Sequence, residues 1–170
     1  MPPSEIAVPR PNVKGWRELQ RALAALRTAI TDQGANTTAD PVDYTPTWTA
    51  SVTDPVIGNG TLSGTYFRMF RSVQVLIYLL WGSTTTAGEG PYQFSLPVEP
   101  LTDQTWIGTG YIFDASASDY IVVPVLDLAN LGEIYIRPDQ NSFKVGSNVP
   151  LTWASGDEMA LNIIYPTEPA

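Results

Sequence analysis

A chain of 170 residues has room for one core of ordinary size. It holds no cysteine and no histidine, which excludes disulfide stapling, thiolate catalysis, imidazole base chemistry and the usual zinc and copper sites. The net charge of −8 is uneven: residues 1–39 carry five basic side chains against three acidic ones, and the rest carries four against fourteen, leaving a body of −10. Such a body repels a phosphate backbone, so nucleic acid is not an expected partner.

The opening MPPSEIAVPRP lacks the basic-then-apolar order of a secretory leader. The longest apolar stretch, inside VQVLIYLLWG, falls far short of the roughly twenty residues that cross a bilayer as a helix. A soluble protein with no membrane partner is expected.

Residues 1–13 contain Pro2, Pro3, Pro9 and Pro11. Proline fixes φ and lacks the amide hydrogen, so this stretch is expected to be extended. It reads either as a disordered tail or as an arm that orders across a neighbouring subunit, with Pro9, Arg10 and Pro11 as its anchor. The basic surplus of this end suits an acidic protein surface.

From residue 14 to 34 the pattern changes. Trp16, Leu19, Leu23, Leu26 and Ile30 recur at alternating spacings of three and four, the a/d seam of a short coiled coil. Ala22 and Ala29 widen the apolar stripe, and Gly34 supplies a stop. Two heptads are marginal alone, so the stripe must be buried by other copies or by the chain's own β domain. Leucine at both seam positions with a widened stripe favours more than two strands.

Residues 35–43 read as a polar linker that Asp40-Pro41 keeps out of any helix. Asn36-Thr37-Thr38 matches a glycosylation acceptor by chance.

Residues 44–170 read as β throughout. YTPTWTASV, TYFRMFRS, VQVLIYLLWG, YQFSLPV, TWIGTGYIFD, SDYIVVPVLD, EIYIRP, SNVPLTW and DEMALNIIYP are short strand-like runs separated by Gly, Asp and Pro turns. Gly58-Asn59-Gly60 is a turn signal, and VQVLIYLLWG is continuous enough to be a central strand covered on both faces. Eight or nine such strands point to a mainly β fold, an antiparallel β-sandwich. Strand count and long polar loops favour a jelly-roll-like form, and an immunoglobulin-like sandwich stays open.

Little in this inventory performs chemistry. No GxSxG elbow, GxGxxG turn or phosphate loop is present. Glu89, Glu99, Asp114, Asp119, Asp127 and the pair Asp157-Glu158 fall near turn signals, where solvated carboxylates are ordinary. A catalytic carboxylate pair, or a calcium site among Asp103, Asp114, Asp119 and Asp157, is a minor alternative. No catalytic residue, metal or cofactor is therefore expected, and the chain does not read as an enzyme. The tryptophans and tyrosines suit core or inter-subunit packing, and the loop-adjacent Trp106 and Trp153 are candidate platforms for stacking on surface sugars.

The opening Tyr44-Thr45-Pro46-x-Trp48 is followed by Gly58-Asn59-Gly60-Thr61-Leu62-x-Gly64-x-Tyr66, Gly82-Ser83-Thr84-Thr85 and Phe94-Ser95-Leu96-Pro97. In this combination residues 44–97 resemble a module of tailed-bacteriophage virion proteins: tail-fibre, head-fibre or minor capsid components, particularly of actinobacterial phages. The chain departs from the module's usual look in carrying Phe67, Met69 and Phe70, where small or charged residues often follow the strand tyrosine. The resemblance implies a trimeric β module that works without catalysis.

The chain begins at a methionine and lacks sequence for an extended shaft, so a capsid decoration or minor capsid role is expected over a long fibre. The expected partners are two further copies of the chain, in a homotrimer, and the major capsid protein or a neighbouring virion protein. The expected location is the virion, assembled in the host cytoplasm. The alternative is a short tail-fibre or baseplate protein that recognises a host surface glycan.

Overall fold

The computed structural model describes residues 13–35, 40–101, 104–117, 119–126, 133–138 and 144–168. The chain divides into two compact units, Met1–Thr37 and Thr38–Ala170.

The first unit holds helix α1, Val13–Ala35, VKGWRELQRALAALRTAITDQGA. Its interior is rich in Ala, Leu, Gln and Arg, all good helix formers. Neither end is assisted by charge, because the first turn has no acidic residue and the last turn no basic one. Thr28 also bends its hydroxyl back to donate to the Ala24 carbonyl at 3.1 Å. Burial of the apolar stripe is therefore what must hold this helix. Leu19, Leu23 and Leu26 are nevertheless exposed, at 50%, 43% and 56%. Trp16 and Ile30 lie on the same helix with side chains outside the described residues, as Pro9, Arg10 and Pro11 lie outside them entirely.

The second unit is β. Ten strands follow in chain order: β1 Val42–Tyr44, β2 Trp48–Ala50, β3 Thr61–Met69, β4 Ser72–Leu80, β5 Tyr92–Ser95, β6 Trp106–Ile107, β7 Thr109–Phe113, β8 Tyr120–Leu126, β9 Glu133–Pro138 and β10 Glu158–Pro166. Every pairing is antiparallel, in one ladder of order β1-β3-β4-β10-β7-β8-β9-β5-β2, with β6 alongside β8. The two ends of this ladder, β1 and β2, are joined only by Thr45, Pro46 and Thr47. So short a link spans at most about 14 Å, which forces the ladder to curl back on itself. Its halves consequently face each other as two antiparallel sheets. Trp48 of β2 meets Trp81, the residue after β4, with ring centroids 5.5 Å apart.

The core lies between those halves and follows strand alternation. Val73, Val75, Ile77 and Leu79 of β4 point inward and pair in register with Tyr165, Ile163, Leu161 and Met159 of β10. Tyr92 and Phe94 of β5, Ile112 of β7, Val122 of β8 and Ile136 of β9 fill the rest. The mainly β, antiparallel expectation holds, with a single helix among the described residues.

Three expectations are corrected. YTPTWTASV is not one strand: it breaks around Pro46 into β1 and β2, which sit at opposite ends of the ladder. SNVPLTW is not a strand either, and offers only an isolated Gly146–Val149 bridge, with Val149-Pro150 in the cis form. Finally, β4 is central between β3 and β10 but is covered on one face only, for Leu76 on its other face is 39% exposed.

The two-residue β3–β4 turn places Phe70 at φ 54°, the left-handed region, with its ring in solvent. An aromatic side chain there is strained, whereas asparagine tolerates the conformation. Phe70→Asn is expected to stabilise the unit by about 0.5–1 kcal/mol, raising the melting temperature by about 2–4 °C. An unchanged or lower melting temperature would contradict a strained turn.

Candidate functional site

Of the residues that carry the resemblance, Gly58, Asn59 and Gly82 to Thr85 form a clasp between two loops. Asn59, in the turn before β3, accepts at Oδ1 from the Thr84 amide at 2.8 Å and from the Thr84 hydroxyl at 2.9 Å. Its own amide donates to Thr84 Oγ1 at 2.9 Å, and its Nδ2 donates to Ser83 Oγ at 3.0 Å. Thr85 Oγ1 accepts from the Gly82 amide at 3.0 Å and donates to the Ile57 carbonyl at 2.5 Å. Glycine is required where the loops touch. A Cβ on Gly82 would stand 2.3 Å from Asn59 Oδ1, and one on Gly58, which has φ +56°, would stand 2.4 Å from the Thr84 carbonyl oxygen. Gly64 of β3 faces Tyr44 of β1 in register, with the tyrosine ring occupying the space of a Cβ. These contacts tie the turn before β3 to the loop after β4, so the residues involved have a structural role.

The aromatic candidates separate in the same way. Trp153 is buried at 8% exposure, stacks on Trp81 with centroids 5.0 Å apart and planes 11° from parallel, and donates its indole N–H to the Gly146 carbonyl at 2.9 Å. With its ring covered and its donor occupied, it is a core residue and no platform for a sugar. Trp106 is half-buried, and its enclosed indole N–H has no hydrogen-bond partner among the described residues.

Of the turn carboxylates, Glu89, Glu99 and Asp119 are exposed, while Asp114 and Glu158 are half-buried. Asp157 differs: it is 1% exposed and its carboxylate accepts from the Ala115 amide at 3.0 Å and the Ala154 amide at 2.7 Å. It ties the β7–β8 loop to the turn before β10, a structural task. Asp114 accepts from the Ser116 hydroxyl at 2.7 Å and amide at 2.8 Å, and these bonds hold its carboxyl below the usual range. Asp103 and Asp127 lie outside the described residues. Among the described residues no group of three or more acidic side chains is placed to hold a metal ion.

Burial pushes the phenols of Tyr44, Tyr92 and Tyr165 up from the ordinary value of 10. Tyr92 and Tyr165 spend their hydroxyl protons on the Ala87 and Val98 carbonyls, each at 2.9 Å. Since the folded state favours the protonated phenol, this stabilisation is complete below pH 10 and is lost as pH rises above it. At least three of the eight tyrosines are thus expected to ionise only as the protein unfolds in alkali, followed by phenolate absorbance alongside circular dichroism. All eight titrating together near pH 10 in folded protein would contradict these burials.

Three surface features that present apolar side chains remain as candidates. A cleft of about 460 Å³ sits at the β1–β2 link, walled by Pro46, Trp48, Pro55, Ile57 and Leu62, and no titratable group lines it among the described residues. The helix stripe of Leu19, Leu23 and Leu26 is exposed as described above. A second exposed surface, which reading the sequence missed, is the outer face around Leu76, Tyr111 and Ile164. The apolar run of β4 was its signal, since such a run implies cover on both faces.

No protein-family model, curated protein or solved structure matches this chain.

Proposed function

We propose that this protein is a non-catalytic structural component of a tailed-bacteriophage virion, a capsid decoration or minor capsid protein that assembles as a homotrimer. In this reading α1 joins three copies, the Pro-rich arm around Pro9, Arg10 and Pro11 holds the assembly to a major capsid or neighbouring virion protein, and the acidic β domains project outward. The curled ladder is read as a jelly-roll-like sandwich, although its three hairpin-adjacent pairs, β3–β4, β7–β8 and β8–β9, give it a more meandering order than a pure jelly roll.

The observation that carries the reading is the exposed stripe Leu19–Leu23–Leu26 on a helix that lacks charge support at both ends. Alone, α1 has nothing within its own unit to bury that stripe, and three copies would bury it. The loop clasp adds support, because the residues behind the phage-module resemblance have structural roles that a similar module would also need. The rival, a short receptor-binding tip, loses Trp153 as a glycan contact.

Deleting residues 1–13 is the direct test. The shortened protein is expected to keep its β circular dichroism while failing to attach to arm-free particles. Full decoration by the shortened protein would remove the arm as the anchor. A density map of the intact particle with copies in threes on the shell is expected, whereas density confined to the tail tip would favour the rival.

A further inference from the structure

The outer positions of β4, β10 and β7 form a continuous surface. Leu76 lies opposite Asn162, which lies opposite Thr109, while Tyr78 lies opposite Ala160, which lies opposite Tyr111. Ile164 extends the surface at one end, and Ile121, opposite Tyr111 on β8, widens it. Leu76 and Tyr111 are 39% and 40% exposed, and Ile164 and Ile121 are 51% and 61% exposed. Small residues dent it. A groove of about 330 Å³ runs over Gly110 and Ala160 between Leu76 and Tyr111, and another of about 310 Å³ lies over Gly108 between Ile107 and Ile164.

Two features say what covers it. The first is charge. Among the outer positions of β4, β10 and β7 the only carboxylate is Glu158, at the strand end, where it is hydrogen-bonded by Tyr78; there is no lysine or arginine. The rest of the body is strongly acidic, so this neutral area is where copies of one chain can meet without like-charge repulsion. A charged partner would find no complement here. A sugar would find few free polar groups, since Gln74 Nε2 already donates to Asn162 Oδ1 at 3.2 Å. The second feature is the run Val75-Leu76-Ile77-Tyr78-Leu79-Leu80-Trp81, the pattern of a strand covered on both faces, in a β unit that itself covers one.

We infer that this outer face is the surface on which the β domains of neighbouring copies pack, so that a second copy of the chain is its occupant. The inference rests on the self-association proposed for α1. Once helices join, the β domains are held at about millimolar effective concentration, where a modest apolar contact suffices.

The test uses the full chain and two variants, Ile164→Lys on the face and Leu23→Asp on the helix. Ile164 points to solvent in the single chain, so Ile164→Lys should keep the native circular dichroism. It is expected to weaken the trimer at least tenfold in sedimentation. Carbene labelling of the wild-type assembly should spare Leu76 and Tyr111 relative to the exposed loop residues Val52 and Val56, and the protection should vanish in Leu23→Asp monomers. If Leu23→Asp dissociates the assembly but Ile164→Lys leaves its dissociation constant within twofold and labelling is equal in both states, the face is overturned and the helix stands. If Ile164→Lys dissociates the chain while Leu23→Asp does not, the face stands and the helix reading falls. Protection seen only on intact particles would overturn a second copy as the occupant in favour of a capsid protein.

Discussion

Trp81→Ala is expected to lower the unfolding free energy of the β unit by about 3–5 kcal/mol, the cost of deleting a large buried aromatic. Trp81 is 4% exposed and sits where three segments converge. Trp48 of β2 meets its ring at a steep 77°, and Trp153 stacks on it at 5.0 Å. Its backbone is pinned as well: the Trp81 amide donates to the Asp157 carbonyl at 2.8 Å, and the Gly156 amide donates to the Trp81 carbonyl at 2.9 Å. Removing the indole would open a cavity that strands held by those bonds cannot collapse into. Since ordinary domains are stable by about 5–15 kcal/mol, much of the margin would disappear. Urea unfolding monitored by circular dichroism measures the loss directly. Trp81→Phe should cost markedly less. A loss under about 1 kcal/mol for the alanine variant would mean that the aromatic cluster does not hold the two sheets together.

Leu23→Asp is expected to have the largest effect on assembly. In one protomer Leu23 is 43% exposed, so an aspartate there meets water and the β unit keeps its fold. In a trimer the same side chain would be an unpaired buried charge, costing several kcal/mol and weakening association at least a hundredfold. Ala25→Asp lies off the Leu19–Leu23–Leu26 stripe and lowers helix propensity to a similar degree. That control should leave the mass unchanged, separating seam burial from loss of helicity. Equal masses for Leu23→Asp and wild type would remove the helix from the interface.

Local signals were legible in the sequence, and pairings distant along the chain were not. The alternating spacings of three and four from Trp16 to Ile30 placed the helix over 14–34, and α1 runs Val13–Ala35. Gly58-Asn59-Gly60 announced a turn because its residues accept positive φ, and Gly58 has φ 56°. Nothing local could show that Asn59 would clasp Thr84, or that β10 would lie between β4 and β7. Asp157 looked like one more turn carboxylate, and only the fold brings the Ala115 amide to it. Trp153 looked accessible because it stands at the end of a strand-like run beside a loop, yet packing against Trp81 outweighs that position. The run in β4 was misread for an instructive reason. Its apolar pattern describes a strand covered on both sides, and the β unit covers only one of them.

The account depends on exposed leucines finding leucines of other copies. Sedimentation equilibrium of the purified full-length chain across a wide concentration range tests this most directly. The predicted result is a species of three times the protomer mass that dissociates only on dilution. A single protomer mass persisting at the highest concentration would contradict it.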